Sequence, residues 1–165
     1  SVIGFSVPCD LSASADELAK PQNRIFMNRF LTDLRQKLAE KGHRYPDQLS
    51  LEGYDQIRTF HEYDERYTAP IHGFKSAQDY WQQSSCKSYL SHIELPSLLV
   101  NAKGDPFLPA ACFPTKIAEA SDRFHLEISQ SGGHVGYIQW NRHHRYWMEK
   151  RVVEFIRSQF DAERP

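Results

Sequence analysis

Asp105 and His134 are the two residues of this chain whose types and positions best suit acid–base chemistry. Asp105 lies in the turn sequence Gly-Asp-Pro-Phe directly after an apolar run, and His134 lies in Gly-Gly-His-Val-Gly after an alternating stretch. A histidine that acts as a general base needs a partner that holds its ring in one tautomer, and a buried carboxylate meets this need. The sequence therefore predicts that they are the acid and the base of a nucleophile–histidine–acid triad.

Each of these residues also has an ordinary structural interpretation. Asp-Pro commonly begins a loop, so Asp105 could be a turn or helix-capping residue, and His134 could be a histidine in a glycine turn. The joint pattern favours chemistry, because the two residues follow successive strands in acid-then-base order. In an open α/β sheet, catalytic groups gather at the C-terminal ends of the strands.

The nucleophile of such a triad is not evident in the chain. Gly4-Phe5-Ser6-Val7-Pro8 begins like a G-x-S-x-G elbow, but Pro8 stands where a small residue is needed for the sharp turn. We therefore expect Ser6 to be a serine inside the first strand rather than the attacking group.

The elements that must position these residues follow from hydrophobic patterning. Strands are predicted near residues 2–7, 97–101 and 123–129, and the strand–helix alternation of the C-terminal half indicates an α/β fold with parallel pairing. Ser12 or Ser14 is expected to cap a short turn that runs through Leu18, and Ser76 with Asp79 to form a variant capping box. Further helices are predicted over about 21–41, 46–58, 76–84, 114–120 and 145–160. The apolar positions assigned to the long helix are Ile25, Phe26, Phe30, Leu31, Leu34 and Leu38, and those assigned to the last helix are Tyr146, Trp147, Val152, Val153, Ile156 and Phe160.

Composition excludes several classes of partner. The formal net charge is −1 and basic residues are interspersed with acidic ones, so no field attracts nucleic acid. No apolar segment approaches the roughly 20 residues of a transmembrane helix, and the start does not have the pattern of a signal peptide. Cys9, Cys86 and Cys112 are odd in number and widely spaced, which favours a reducing, cytoplasmic location.

Other chemical sites are weaker candidates. His134, His143, His144 and Glu149 lack the spacing of a metal site, so no metal and no cofactor are expected. Cys112 is expected to be a packed thiol. A set of aromatic residues could line an apolar substrate pocket, although such a set is more often core. That set consists of Tyr67, Phe74, Tyr80 and Trp81.

Several of these motifs together resemble the C-terminal half of the YheT-like branch of the α/β-hydrolase superfamily. The similarity runs from the first strand to the last helix. The block at residues 60–74 is specific to that branch, whereas the aspartate and histidine turns are shared more widely. The segments that carry the resemblance are 60–65 (Phe-His-Glu-Tyr-Asp-Glu), 67–70 (Tyr-Thr-Ala-Pro), 72–74 (His-Gly-Phe), 79–81 (Asp-Tyr-Trp), 84–85 (Ser-Ser), 105–107 (Asp-Pro-Phe) and 132–136 (Gly-Gly-His-Val-Gly).

The resemblance implies a fold and an activity. Residues 1–11 and 96–165 would form part of a hydrolase core holding the last three strands, and residues 12–95 would include a helical cap. Asp105 would be the triad acid and His134 the triad base. The implied reaction is hydrolysis of short- or medium-chain or lipid-like carboxylic esters through an acyl-enzyme.

The missing elbow departs from the pattern of that superfamily, in which the nucleophile and the oxyanion amides precede the position of Ser1. We therefore expect the N-terminal half of the domain to be absent and the chain alone to be inactive, since one oxyanion donor is typically worth about 10²–10³ in rate. We also expect another chain or a missing segment to cover the sheet edge at residues 2–7. A different class of function stays open, namely a non-catalytic binding module on a hydrolase-like scaffold.

Overall fold

The computed structural model describes residues 1–137 and 146–162, which form two compact units. The sheet unit comprises Ser1–Cys9 and the chain from Cys86 onward, and the helical unit comprises Asp10–Ser85. The strands are β1 (Val2–Phe5), β2 (Ser97–Ala102) and β3 (Phe124–Ser129). The α-helices are α1 (Leu11–Leu18), α2 (Arg24–Gly42), α3 (Phe60–Tyr63), α4 (Ala69–Ile71), α5 (Ala77–Ser84), α6 (Thr115–Glu119) and α7 (Trp147–Ala162). Short 3₁₀ turns lie at Pro21–Asn23, Tyr54–Gln56, Cys86–Ser88, Leu90–His92 and Ala110–Cys112.

The sheet has three parallel strands in the order β1-β2-β3, which confirms the predicted α/β class. Ile3 pairs with Leu98, and Leu99 pairs with Leu126. The first strand is shorter than predicted. It ends at Phe5 because Ser6 takes a left-handed conformation with φ 53°, which cannot continue a strand.

The central strand β2 is buried along its whole length, as expected for a parallel strand covered on both faces. Its alternate side chains contact two different clusters. Leu98, Val100 and Ala102 pack with Tyr137 and Phe155. Leu99 belongs to a second cluster, together with Cys9, Leu90 and Phe124. The strand that precedes Asp105 is therefore held rigidly from both sides.

The start of the helical unit differs from prediction at its cap and at its buried face. Asp10, and not Ser12 or Ser14, caps α1, because its carboxylate accepts the Ala13 N–H at 3.1 Å.

On α2 the residues predicted to be apolar anchors include two exposed ones, Ile25 and Phe26. The buried side chains of α2 are Met27, Leu31 and Leu38.

The predicted helix over residues 46–58 is wrong. Only the single 3₁₀ turn Tyr54–Gln56 forms there, and Gly53 before it has a left-handed φ of 68°. The complete capping box lies at Thr59 and Glu62. At the site predicted for one, Ser76 accepts the Asp79 N–H, but the Asp79 carboxylate accepts from Lys75.

The segment from Phe60 to Ile71 is helical throughout but contains a π-helical turn at Asp64–Thr68. This turn includes two buried residues, Asp64 and Tyr67. Trp81 of α5 is also buried, and its indole N–H donates to Asp64 at 2.8 Å. Tyr67 and Trp81 thus lie in the core of the helical unit.

The last helix packs through a residue that the sequence pattern missed. Phe155 is buried, whereas Tyr146, Val153 and Phe160, which were predicted on the apolar side, are exposed. The predicted start of this helix at residue 145 lies outside the described residues, as do His143 and His144. In the described part of the chain, no helix combines the length and the apolar character that crossing a membrane requires.

Candidate active site

The parallel strands bring three chain segments to one edge of the sheet. Because β1, β2 and β3 run in the same direction, their C-terminal ends lie at the same edge. Ser6 follows β1, Asp105 follows β2 after a two-residue turn, and His134 lies in the loop after β3. The topology thus places both predicted triad residues where groups on an α/β sheet can converge.

Asp105 is held in a tight turn and has no exposed side-chain surface. Its backbone N–H donates to the Ala102 carbonyl at 3.2 Å, and its Oδ1 accepts the backbone N–H of Phe107 at 2.9 Å. This is the turn-forming role that was the alternative interpretation of Asp105. The same contacts fix the carboxylate and leave Oδ2 for a second partner.

His134 is that partner, since its Nδ1 lies 3.0 Å from Asp105 Oδ2. An ionised carboxylate accepts only, so Nδ1 carries the proton and Nε2 keeps its lone pair. The imidazole side chain is 35% exposed, and its ring centroid lies 4.7 Å from that of Phe107. A half-buried imidazole oriented in this way can take a proton at Nε2 while Asp105 stabilises the resulting cation.

Two glycines let the turns after β2 and β3 approach each other. Gly132 has a φ of 124°, a conformation that side-chain-bearing residues rarely adopt. A Cβ at Gly104 would lie 3.4 Å from the Gly132 carbonyl oxygen, which is van der Waals contact. The turns that carry Asp105 and His134 thus come within contact distance of each other, and a residue with a side chain at Gly132 would strain the backbone.

Ser6 does not lie within β1, contrary to expectation, but directly after it. It is the one non-glycine residue with a positive φ among residues 1–137 and 146–162, and it is 3% exposed. Tyr137 donates its hydroxyl proton to the Val100 carbonyl at 3.2 Å, so the Ser6 hydroxyl donates to the Tyr137 oxygen at 3.1 Å. Burial raises the pKa of Tyr137. The buried Ser6 hydroxyl therefore has a hydrogen-bond partner within the sheet unit.

Asn101 is a further polar residue of this edge that sequence reasoning missed. Its side chain is fully buried at the end of β2. Oδ1 accepts the Val7 N–H at 3.2 Å, and Nδ2 donates to the Cys112 carbonyl at 3.4 Å. Asn101 therefore ties the loop after β1 to the turn that follows Asp105. A polar residue at the end of an apolar run was the available signal.

The other predicted candidates have different surroundings. Cys112 is fully buried, as expected for a packed thiol. The described residues contain no group of three or more His, Cys, Asp or Glu side chains that could hold a metal ion. Glu149 lies in the first turn of α7.

Comparison with known proteins gives similarities over most of the chain. It is 31% identical over 160 residues to "Putative esterase YheT" of Escherichia coli (strain K12), covering 95% of this chain and 47% of that protein. It is 27% identical over 157 residues to Phospholipase ABHD3 of Homo sapiens, covering 93% of this chain and 38% of that protein. It is 28% identical over 153 residues to Monoacylglycerol lipase ABHD2 of Homo sapiens, covering 83% and 36% respectively.

The chain spans less than half the length of these curated relatives. No family model and no solved structure matches it significantly. The similarity nevertheless extends over the helical unit as well as the sheet unit, since it covers up to 95% of the chain. Together with the three-stranded parallel sheet, these similarities show that the chain is related to the α/β-hydrolases.

Proposed function

We propose that the intact protein hydrolyses carboxylic esters, with His134 as the general base and Asp105 as the carboxylate that orients it. The observation that carries this proposal is the 3.0 Å contact between His134 Nδ1 and Asp105 Oδ2. Asp105 is fully buried and its other oxygen is held by the Phe107 N–H, whereas His134 is half-exposed. An acid that is fixed and a base that is accessible are what proton transfer to a bound substrate requires.

The attacking serine would come from sequence outside this chain. The chain contains no G-x-S-x-G elbow, and it spans less than half the length of the relatives that it matches. His134 Nε2 would take the serine proton as the serine oxygen attacks the ester carbonyl carbon. The imidazolium would then return that proton to the departing alcohol, leaving an acyl-enzyme. Water would release the acid by the same steps, with His134 again as the base.

The substrate class rests on the names of the relatives. YheT is named as an esterase, ABHD3 as a phospholipase and ABHD2 as a monoacylglycerol lipase. What these substrates share is a carboxylic ester attached to an acyl chain. We therefore propose short- or medium-chain or lipid-like esters, without a cofactor. We also propose a cytoplasmic location, because the three cysteines are odd in number and widely spaced, unlike a disulfide framework.

We also propose that the helical unit, Asp10–Ser85, is the cap insertion predicted over residues 12–95, and that a further strand of the intact protein pairs with β1. Val2 is 57% exposed, and in the described residues β1 pairs with β2 alone. The Val2 N–H donates to the carbonyl of residue 96, just before β2, and the Ser6 N–H donates to the carbonyl of residue 100 in β2. Because N–H groups alternate in direction along a strand, those of Ile3 and Phe5 point away from β2. Slow amide exchange at Ile3 and Phe5 in the intact protein would support the added strand, and fast exchange would exclude it.

The experiment that tests the catalytic proposal is ester hydrolysis by the intact protein and by this chain alone. With p-nitrophenyl butyrate, we expect turnover by the intact protein that disappears in His134→Ala, and no turnover by the isolated chain. A monoacylglycerol and a phosphatidylcholine then distinguish the lipid classes. Turnover by the isolated chain that depends on His134 would contradict a nucleophile outside the chain. An intact protein that binds these lipids but hydrolyses none would instead support the binding module.

A further inference from the structure

Cys9 and Cys86 are distant in sequence but adjacent in the sheet unit. Cys9 is the last residue before the helical unit, and Cys86 is the first residue after it. The backbone N–H of Lys87 donates to the Cys9 carbonyl at 3.1 Å, which aligns the two chain segments side by side. These two cysteines therefore stand where the chain leaves the sheet unit and where it returns.

The two thiol side chains belong to one packed cluster of the sheet unit. Cys9 is 1% exposed and belongs to the cluster of Leu90, Leu99 and Phe124, against which Cys86 packs from a partly exposed position. Both cysteines line an apolar cavity of about 310 Å³. One thiol is thus buried, and the other can meet a small molecule.

The interaction between the two thiols makes their pKa values unequal. Donation from the Cys9 thiol lowers the pKa of Cys86 to about 7. The same hydrogen bond raises the pKa of Cys9, and burial of the Cys9 thiol raises it further. Cys86 is therefore the thiol with the larger thiolate fraction near neutral pH, which is the form that attacks a disulfide.

We propose that Cys9 and Cys86 are a redox modification site that closes to an intramolecular disulfide in the presence of a low-molecular-weight disulfide such as oxidised glutathione. The Cys86 thiolate attacks one sulfur of oxidised glutathione and releases one glutathione thiolate. Cys9 then loses its proton, attacks the Cys86 sulfur of the mixed disulfide and releases the second glutathione. Two protein thiols are oxidised, and one glutathione disulfide is reduced to two thiols.

The disulfide would join the residue that precedes the helical unit in sequence, Cys9, to the residue that follows it, Cys86. A disulfide closing so long a segment restricts the unfolded chain strongly. In a reducing compartment such a bond is transient, so it would respond to the thiol–disulfide balance. This inference concerns the thiols alone and does not depend on the proposed ester hydrolysis.

The test is a peptide map of the intact protein after incubation with oxidised glutathione. We expect a linked pair of peptides containing Cys9 and Cys86, a protein mass lower by two hydrogen atoms, and full reversal by dithiothreitol. The control variant Cys112→Ser should form the same bond, because Cys112 is not one of the two linked cysteines. Cys112 is a suitable control because it is a buried thiol near enough to raise the pKa of Cys9.

Three outcomes would overturn the proposal. Glutathione could remain attached to Cys86, Cys112 could appear in the linked peptide, or all thiols could stay reduced. Cys86→Ser provides a second measurement, since it should leave Cys9 unmodified by glutathione. Because wild-type protein supplies the main result, a folding defect in a variant does not blunt the test.

Discussion

Each unit of the molecule contains a buried aspartate, and the two aspartates accept hydrogen bonds from different kinds of side chain. In the sheet unit, Asp105 accepts from the Phe107 N–H and from the imidazole of His134. In the helical unit, Asp64 accepts from the Trp81 indole at 2.8 Å and from the Thr68 hydroxyl at 2.6 Å. Both carboxylates have each oxygen engaged, as buried polar groups require.

The difference lies in the partners. Trp81 and Thr68 donate in these contacts, and neither side chain gains or loses a proton near neutral pH. The contacts of Asp64 can therefore stabilise a structure but cannot serve acid–base chemistry. His134 can gain a proton, and its side chain is 35% exposed. A buried carboxylate is therefore a sign of function only when its partner can titrate and be reached.

The largest expected effect comes from changing Asp105 in the intact protein. Asp105→Asn would present an amide to Nδ1 and favour the wrong imidazole tautomer, so we expect kcat to fall by about 10³–10⁴. Rates of p-nitrophenyl ester hydrolysis check this. Thermal unfolding of the same variant should show that the fold is kept.

Asp64→Asn is the matched control for that measurement. It replaces another buried carboxylate with the same amide, but the hydrogen-bond partners of Asp64 do not titrate near neutral pH. If hydrolysis fell equally in both variants at temperatures where both are folded, the distinction between the two aspartates would be wrong.

The next effect concerns the stability of the helical unit. Asp64→Ala would leave the Trp81 indole N–H and the Thr68 hydroxyl without their acceptor, and an unsatisfied buried donor costs about 1–3 kcal/mol. We expect the free energy of unfolding to fall by about 2–3 kcal/mol in urea denaturation. Thr68→Val, which removes one donor and leaves Asp64 in place, should cost less. Equal losses in the two variants would show that the Trp81 contact contributes nothing.

The pH dependence of stability gives a third way to separate the aspartates. Burial raises the pKa of Asp64 above its usual value, against the hydrogen bonds from Thr68 and Trp81 and the nearby charge of His61. The folded state therefore holds this proton more tightly than the unfolded state. Its contribution to stability is fully present below the unfolded pKa and is lost as the pH rises through the folded pKa.

The neutral variant Asp64→Asn has no such dependence at this position. The stability of the wild type relative to Asp64→Asn should therefore decrease from about pH 4 towards neutrality. Urea denaturation of both proteins across this range measures the difference. A difference that grows with pH would mean that the hydrogen bonds outweigh burial.

The same contrast explains what the sequence could predict. Asp105 and His134 each follow a strand of clear hydrophobic pattern, so parallel pairing alone brings their loops to one edge. Asp64 lies on a helix interrupted by a π-helical turn, and nothing in the local pattern indicates that turn or the distant partner Trp81. Contacts that depend on tertiary packing were thus missed, whereas those set by topology were not.

Residues on helices show the same limit. The 3.6-residue pattern of α2 includes Leu31 and Leu38, which are buried, and also Ile25, which is 81% exposed. Periodicity gives the face of a helix but not how much of its length is covered. The contact between Cys9 and Cys86 was missed for a related reason, because sequence spacing contains no information on the return of the chain.

The smallest effect is expected at a third carboxylate, Glu127 of β3, which joins α7 through Arg151. The guanidinium Nε donates to both carboxylate oxygens, at 2.8 and 2.9 Å, and the hydrogen bond raises the pKa of Arg151. The Glu127 side chain is 36% exposed, so water competes with Arg151 for hydrogen bonds to this carboxylate in the folded state. A double-mutant cycle of Glu127→Gln and Arg151→Met should give a coupling of about 0.2–1 kcal/mol. A coupling as large as the loss in Asp64→Ala would show that partner geometry, rather than burial, sets the contribution of a carboxylate to stability.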